Sequence, residues 1–366
     1  MVVQDRHPPH HNKANSIMTI PTTMESLEQN MVAESPLPLL KVRLPLPHRL
    51  NCFLRLWLFK IVANIYFLFQ SLFNPHPPAT RPTLVKRYPC RPMLESRIFF
   101  PPNYHPGERL LPLYLDIHGG GFAVCDPQVD DEFCVSWANR TGMLVVSLDY
   151  RKAPLYPFPT ATYDIAALVN AVLNDETLPI DKSRIAIGGF SAGANLALSA
   201  SQLPGLKGNI KAAIAYYPIV DFSHPPNEKL AARPYKAGPR DSLEDSSWWL
   251  DWGYVSVGQN RRDTLLSPCY ARKEDLSPWI YMIGAQWDML RLESQIMMHR
   301  LAGLEDKVDQ EAPFEKGTYK WTLAMGFSHG FTHSLGRDPA KRAKNKKKCE
   351  EIYHEAHVWL KKSVLA

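Results

Sequence analysis

The chain has 366 residues and 45% hydrophobic content, enough for one large domain or for one domain with an appendage. Lys plus Arg number 42 and Asp plus Glu 36, so the net charge is only +6; much of the excess sits in 341–348, a run that could bind nucleic acid or serve as a nuclear address but reads more simply as the wet side of a helix, so no nucleic acid is expected as partner. The six cysteines (Cys52, Cys90, Cys125, Cys134, Cys269 and Cys349) make no C-x-x-C pair, and no secretory leader opens the chain. Reduced thiols and an intracellular location, cytoplasmic or membrane-associated, are therefore expected.

Residues 1–45 read as a disordered tail. Its stretch RHPPHHNK holds His7, His10 and His11 without companion ligands at useful spacing, so no metal is expected. Residues 46–82 read as an apolar helix followed by a Pro-rich linker. Within them, 53–73 (FLRLWLFKIVANIYFLFQSLF) is long enough to span a bilayer. Arg55, Lys60, Asn64 and Gln70 interrupt it, and a central Lys costs about 2.5–3.5 kcal/mol on insertion. Three readings stay open for this segment: a spanning anchor, an interfacial helix, or an apolar helix that covers a site. The linker NPHPPATRP, residues 74–82, ends the helix in each case.

Residues 83–366 alternate short β-rich runs with helical ones. The runs 111–117, 143–149, 184–190, 212–218, 279–284 and 318–324 are predicted strands. Stretches such as 160–173 and 292–301, with apolar residues three and four apart, are predicted helices. This order gives an α/β fold, a mostly parallel twisted sheet with helices on both faces. Asn139-Arg140-Thr141 reads as a helix-to-strand turn. Residues 221–266 break the rhythm with Trp248, Trp249, Trp252 and Tyr254, and read as an insertion over the sheet. Asp338-Pro339 opens a last helix, with Cys349, Ile352, Tyr353, Ala356, Trp359 and Leu360 on one face and the basic run 341–348 on its wet side.

Three places carry chemistry. Gly189-Phe190-Ser191-Ala192-Gly193 lies between a predicted strand and a predicted helix, the context in which G-x-S-x-G exposes a strained serine as a nucleophile. That serine needs a base and the base an orienting acid, in the chain order Ser, Asp or Glu, His. Asp288 falls just past a predicted strand. Asp221, Asp251 and Asp263 lie in or beside the insertion and read as surface charges. His329, followed by Gly and Phe, suits a turn after the strand 318–324, whereas His333 would face elsewhere. The third place is His118-Gly119-Gly120-Gly121-Phe122. Its glycine amides, with that of Ala192, would form an oxyanion hole. A phosphate-binding loop is the rival reading, but no Lys or Ser/Thr follows at the required spacing.

H-G-G-G before G-x-S-x-G, then Asp and H-G-F, resembles the hormone-sensitive-lipase-like branch of the α/β-hydrolase fold, the group of arylacetamide deacetylases and carboxylesterases. The resemblance runs from about Lys86 to the C-terminus and includes DYRKAPLYPFPTATYD (149–164) and SAGANLA. It implies Ser191 as nucleophile, Asp288 as acid, His329 as base, and Gly119, Gly120, Gly121 and Ala192 as the oxyanion region, with His118 part of the motif. It further implies a cap built from the N-terminal segment and the insertion before the acid. The family has an acidic residue before the serine, where this chain has Phe190.

The expectation is a serine ester hydrolase without metal or organic cofactor, acting on a small apolar ester: an aryl ester, a short lipid ester or a natural-product acetate. A non-catalytic ligand receptor on the same scaffold, and an amidase or acyltransferase with the same triad, are the rival functions. Neither the oligomeric state nor the natural substrate is read from the residues.

Overall fold

The computed structural model describes residues 37–73, 77–102, 104–235, 238–304, 312–333 and 338–366. Residues 1–36, with the three histidines of the expected tail, lie outside them; the rest of that tail is ordered, with Leu40 bridging Asn260 and the buried Lys41 donating its amide to Gln259 O. The strands are β1 (Leu84–Lys86), β2 (Ser96–Phe99), β3 (Leu111–Ile117), β4 (Leu144–Leu148), β5 (Ile180–Phe190), β6 (Ala212–Tyr216), β7 (Trp279–Trp287), β8 (Phe314–Lys316) and β9 (Tyr319–Ser328). Among the described residues they form one sheet in the order β1-β2-β4-β3-β5-β6-β7-β9-β8. The six strands from β4 to β9 in that order run parallel, and β1, β2 and β8 flank them antiparallel. Each of the six predicted strands is present. The three antiparallel strands escaped prediction because runs of three or four residues carry no period.

The helices are α1 (Leu46–Phe73), α2 (Asp131–Thr141), α3 (Thr160–Leu173), α4 (Ala192–Ala200), α5 (Pro226–Ala232), α6 (Ser247–Tyr254), α7 (Arg291–Ala302) and α8 (Pro339–Leu360). Side-chain alternation divides the core between the two faces of the sheet. Leu113, Leu115 and Ile117 of β3 join Ile165 of α3, Leu196 of α4 and Ile296 of α7 on one side. Tyr114 joins Phe133 and Trp137 of α2 and Tyr353 and Trp359 of α8 on the other. Helix α8 starts where Asp338 accepts from the Ala340 amide, with Pro339 in the first turn, and its predicted apolar face is buried. Asn139, Arg140 and Thr141 are not a turn but the last turn of α2. The chain leaves that helix one residue later, at Gly142, whose φ of 71° is left-handed.

A cap lies over the carboxyl ends of the parallel strands. Helix α1 crosses α6, with Cys52 and Leu56 packed on Trp249 and Ala123. The helices touch at Gly253, where an added Cβ would stand 2.4 Å from Leu56 Cδ2. Lys60, the charge that interrupts α1, donates to the carbonyls of Ala123 and Ala153. Burial, with Lys152 nearby, lowers its ammonium pKa to about 8. The first half of α1 thus packs on α6 and on Ala123 through Cys52 and Leu56, while Leu46, Leu50, Phe53, Leu54 and Leu58 stay exposed. Beyond Lys60 the helix exposes Ile61, Val62, Ile65, Leu68, Phe69 and Leu72.

Two of the three expected surface charges are not on the surface. Asp221 is 2% exposed, and Asp251 is clamped between Lys41 and Arg261. Lys41 comes from far upstream in the chain, so nothing near Asp251 signals the pair.

Trp359 is fully buried, with the rings of Trp279 and Tyr281 at 5.9 and 5.7 Å. Trp359→Ala is expected to lower unfolding free energy by about 3–5 kcal/mol in urea melts. A loss under about 1 kcal/mol would contradict this packing.

Candidate active site

Strand β5 turns into α4 through Ser191, whose φ of 53° and ψ of −114° are rare for a residue with a side chain. Such a conformation costs about 1–3 kcal/mol and persists only when its surroundings impose it. Here they do. An added Cβ on Gly193 would lie 1.9 Å from the Ile117 carbonyl oxygen, and one on Gly189 2.4 Å from the same atom. Only glycine lets α4 come this close to β3 and β5. The Ser191 amide donates to Tyr216 O at 2.9 Å, and its carbonyl accepts from the Asn195 amide at 3.1 Å.

Neighbouring strands β7 and β9 deliver two further groups beside it. Asp288 follows β7 and is 1% exposed; its Oδ1 accepts from the Leu290 amide at 2.9 Å. His329 follows β9. With its proton on Nδ1 it donates to Asp288 Oδ2 at 2.7 Å, and its Nε2 accepts from Ser191 Oγ at 2.8 Å. Burial disfavours the imidazolium, but the charge and hydrogen bond of Asp288 outweigh it, and Asp241 adds to them. The histidine pKa therefore lies above its ordinary value. Asp241, from the insertion, is itself buried, and burial together with the charge of Asp288 pushes its carboxyl upward. The edge of Tyr217 packs on the His329 ring at 4.9 Å. Neither Asp241 nor Tyr217 carried a sequence signal.

The glycine loop follows β3. His118 is fully buried and braces the loop, outside the hydrogen-bonded chain of Ser191, His329 and Asp288. Its Nδ1 is 2.7 Å from Gly119 O, and its ring stacks on Tyr150 at 4.4 Å. The Tyr150 hydroxyl donates to His118 O and Gly119 O, each at 3.2 Å. Gly119 sits against the elbow, its added Cβ 3.6 Å from Ser191 Cβ. Gly120 (φ 110°) and Gly121 (φ 60°) are left-handed, and added Cβ atoms there would meet Val124 O at 2.3 Å and Leu250 Cδ1 at 2.8 Å. The amides of Gly120, Gly121 and Ala192 find no acceptor among the described residues. Lys60 steadies this loop from above through Ala123.

Phe190, in place of an acid, is held by aromatic packing. It stacks on Tyr216 at 4.6 Å and meets Phe133 and His333 edge-on at 5.0 and 4.6 Å. His333 binds the buried Asp130 at 2.6 Å and stands behind the elbow, apart from Ser191. Among the described residues no His, Cys, Asp and Glu group is arranged to hold a metal ion.

Gly121, Ser191 and Ala192 line a cavity of about 70 Å³ whose other walls include Phe122, Ile219, Phe222, Leu250, Tyr254 and Met289. Tyr254 stacks on Phe122 at 3.7 Å. The roof is the Trp-rich insertion, legible only as a break in the strand rhythm.

A family model described as the alpha/beta hydrolase fold matches residues 114–318, more than half of the chain. An arylesterase of Saccharolobus solfataricus is 33% identical over 195 residues, 52% of this chain and 61% of that protein. Neutral cholesterol ester hydrolase 1 of Rattus norvegicus is 29% identical over 171 residues, 43% and 41% of the two chains. An ethyl acetate hydrolase of Pseudomonas putida is 30% identical over 201 residues, 54% and 62%. The chain thus spans less than two thirds of the length of these curated relatives. Among solved structures, an esterase of Pyrobaculum calidifontis aligns with a TM-score of 0.58 at 25% identity, covering 82% of this chain and 93% of that one. A thermostable carboxylesterase from a metagenomic library, EstE1, aligns at 0.57 and 26% identity, covering 71% and 84%. In sequence and fold the chain is carboxylesterase-like.

The elbow's dependence on close approach is open to test. Gly193→Ala is expected to cost at least about 3 kcal/mol of stability, because a backbone carbonyl cannot step aside. Urea unfolding of the soluble variant measures it, and near-native stability would contradict the geometry.

Proposed function

This chain belongs to the alpha/beta hydrolase family, and we propose that it is a serine ester hydrolase with Ser191, His329 and Asp288 as its triad. The reading rests above all on the continuous hydrogen-bonded chain Ser191 Oγ, His329 Nε2, His329 Nδ1, Asp288 Oδ2 at 2.8 and 2.7 Å. Ser191 Oγ attacks the ester carbonyl carbon while His329 Nε2 takes its proton. Asp288 keeps the other proton on Nδ1 and stabilises the imidazolium. The carbonyl oxygen becomes an alkoxide, which the amides of Gly120, Gly121 and Ala192 receive. Removing one such donor costs about 2.7–4 kcal/mol in acyl transfer. The tetrahedral intermediate then collapses. The ester C–O bond breaks, His329 returns its proton to the departing alcohol, and an acyl-serine remains. Water, deprotonated by His329, attacks that acyl group and releases the acid and free Ser191. No cofactor enters these steps.

The cavity supports a small apolar ester. An apolar cavity of about 150 Å³ holds a benzene molecule. One of about 70 Å³ suits an acetyl or propionyl group better than a long acyl chain. Two relatives' names, an arylesterase and an ethyl acetate hydrolase, point the same way, while neutral cholesterol ester hydrolase 1 names a sterol ester.

Contact with a lipid surface belongs to the same proposal. Helix α1 is long and apolar enough to cross a membrane by length and composition. Its first half, however, is committed to α6, and Lys60 to two carbonyls. The exposed half beyond Lys60 would lie in the headgroup region. Arg49 and Arg55, with no acid in the helix, favour an anionic surface.

Ser191→Ala is expected to abolish 4-nitrophenyl acetate hydrolysis, at least about 10³-fold, with the circular dichroism spectrum unchanged. Full residual activity would overturn the mechanism and favour a receptor. Catalysis needs neutral His329, so kcat/KM should fall as pH drops, with the midpoint of this acid limb above about 6.5. Asp288→Asn removes the charge that raises the histidine pKa. It should cost about 10³–10⁴-fold and move the acid limb of the remaining activity to lower pH; an unmoved limb would exclude Asp288 as the partner. Purified protein should co-sediment with vesicles containing phosphatidylserine and be released by alkaline carbonate. Resistance to carbonate would mean a spanning anchor, and no sedimentation would remove the membrane from the account.

A further inference from the structure

One wall of the Ser191 cavity is polar without serving the triad. Lys229 and Asp251 line the cavity, but both are satisfied. Lys229 Nζ pairs with Glu293 Oε2 at 2.6 Å, and Asp251 is held by Arg261 and Lys41. His224 and Ser247 differ. Both line the cavity, and among the described residues the buried atoms His224 Nε2 and Ser247 Oγ find no hydrogen-bond partner. His224 Nδ1 stands 3.2 Å from Glu228 Oε2, a carboxylate oxygen that can only accept. In the neutral ring that turns its Nδ1 proton toward Glu228, Nε2 is a bare acceptor. The nearest carboxylate oxygen to Nε2, Asp221 Oδ2 at 3.9 Å, has no proton to offer. Ser247 Oγ can donate or accept.

We propose that His224 and Ser247 form a subsite for a hydroxyl group on the ester substrate, which donates to His224 Nε2 and exchanges a hydrogen bond with Ser247 Oγ. This rests on the hydrolase reading and narrows its substrate class to hydroxylated esters. It also excludes esters that carry a free carboxylate, which would meet a lone pair backed by Asp221 and Glu228. A buried polar atom left unpaired makes a site reject the analogue that lacks the matching group.

The test compares kcat/KM within isosteric pairs: the monoacetates of ethanediol, propanediol and butanediol against propyl, butyl and pentyl acetate, and 4-nitrophenyl 3-hydroxybutyrate against the 3-methylbutyrate. A preference of threefold or more for the hydroxylated member of at least one pair, lost in His224→Phe and retained in His224→Gln, is the expected result. If His224→Phe does not fold, Ser247→Ala must lower the same ratio. A preference under threefold in every pair, or one that survives both substitutions, overturns the subsite and leaves water as the partner of the two atoms. The two readings fail differently. Plain esters turned over without a hydroxyl preference sink the subsite alone, whereas no turnover of any ester by the unaltered protein sinks the hydrolase reading with it.

Discussion

The fold of the site depends on one close approach. The carbonyl of Ile117, the last residue of β3, faces Gly189 at the end of β5 and Gly193 in the first turn of α4, with no room for a Cβ on either. This contact forces the chain between them into a tight reversal and holds Ser191 at positive φ. It also places the glycine loop, which begins one residue after Ile117, directly beside that serine. Ser191 and the amides proposed to receive the oxyanion are therefore set by the same few atoms. Their geometry does not depend on flexible side chains, which is what preorganised stabilisation of a developing charge requires.

The remaining parts hang on that frame with different stiffness. Asp288 and His329 leave adjacent parallel strands, so the register of β7 against β9 brings carboxylate and imidazole together. The roof is assembled from segments far apart in the chain. Helix α1 packs on α6, Lys41 pairs with Asp251, and Lys60 reaches two carbonyls next to the glycine loop. Two ammonium groups and a small apolar cluster fasten α1 to the rest of the cap, and regions with few buried contacts open at low free-energy cost. The exposed apolar end of α1 continues from this cap, so a surface that engages it would also bear on the roof of the site.

How much of this was legible depends on whether the physical requirement is local. The elbow and the glycine loop were legible because close backbone approach demands glycine at fixed offsets from one serine and one histidine. Asp288 and His329 stood out because each follows a strongly β-patterned run. The parallel strands were legible because they are buried on both faces, whereas β1, β2 and β8 are too short to carry a period. Asp221 and Asp251 were misjudged as surface charges because Lys41, Arg261 and the folded insertion bury them. Asp241, Tyr217, His224 and Ser247 gave no signal, since each takes part only through neighbours brought by the fold. Phe190 was legible as a departure from the family pattern, and the aromatic cluster that holds it in place of a hydrogen-bonded acid was not.

The central claim is that Ser191 is an activated nucleophile served by His329. Labelling with a fluorophosphonate, followed by peptide mass mapping, tests it most directly. The account predicts stoichiometric phosphonylation of Ser191, with the rate of labelling collapsing in His329→Ala. Label on another residue, or labelling of Ser191 that proceeds equally fast without His329, would contradict it.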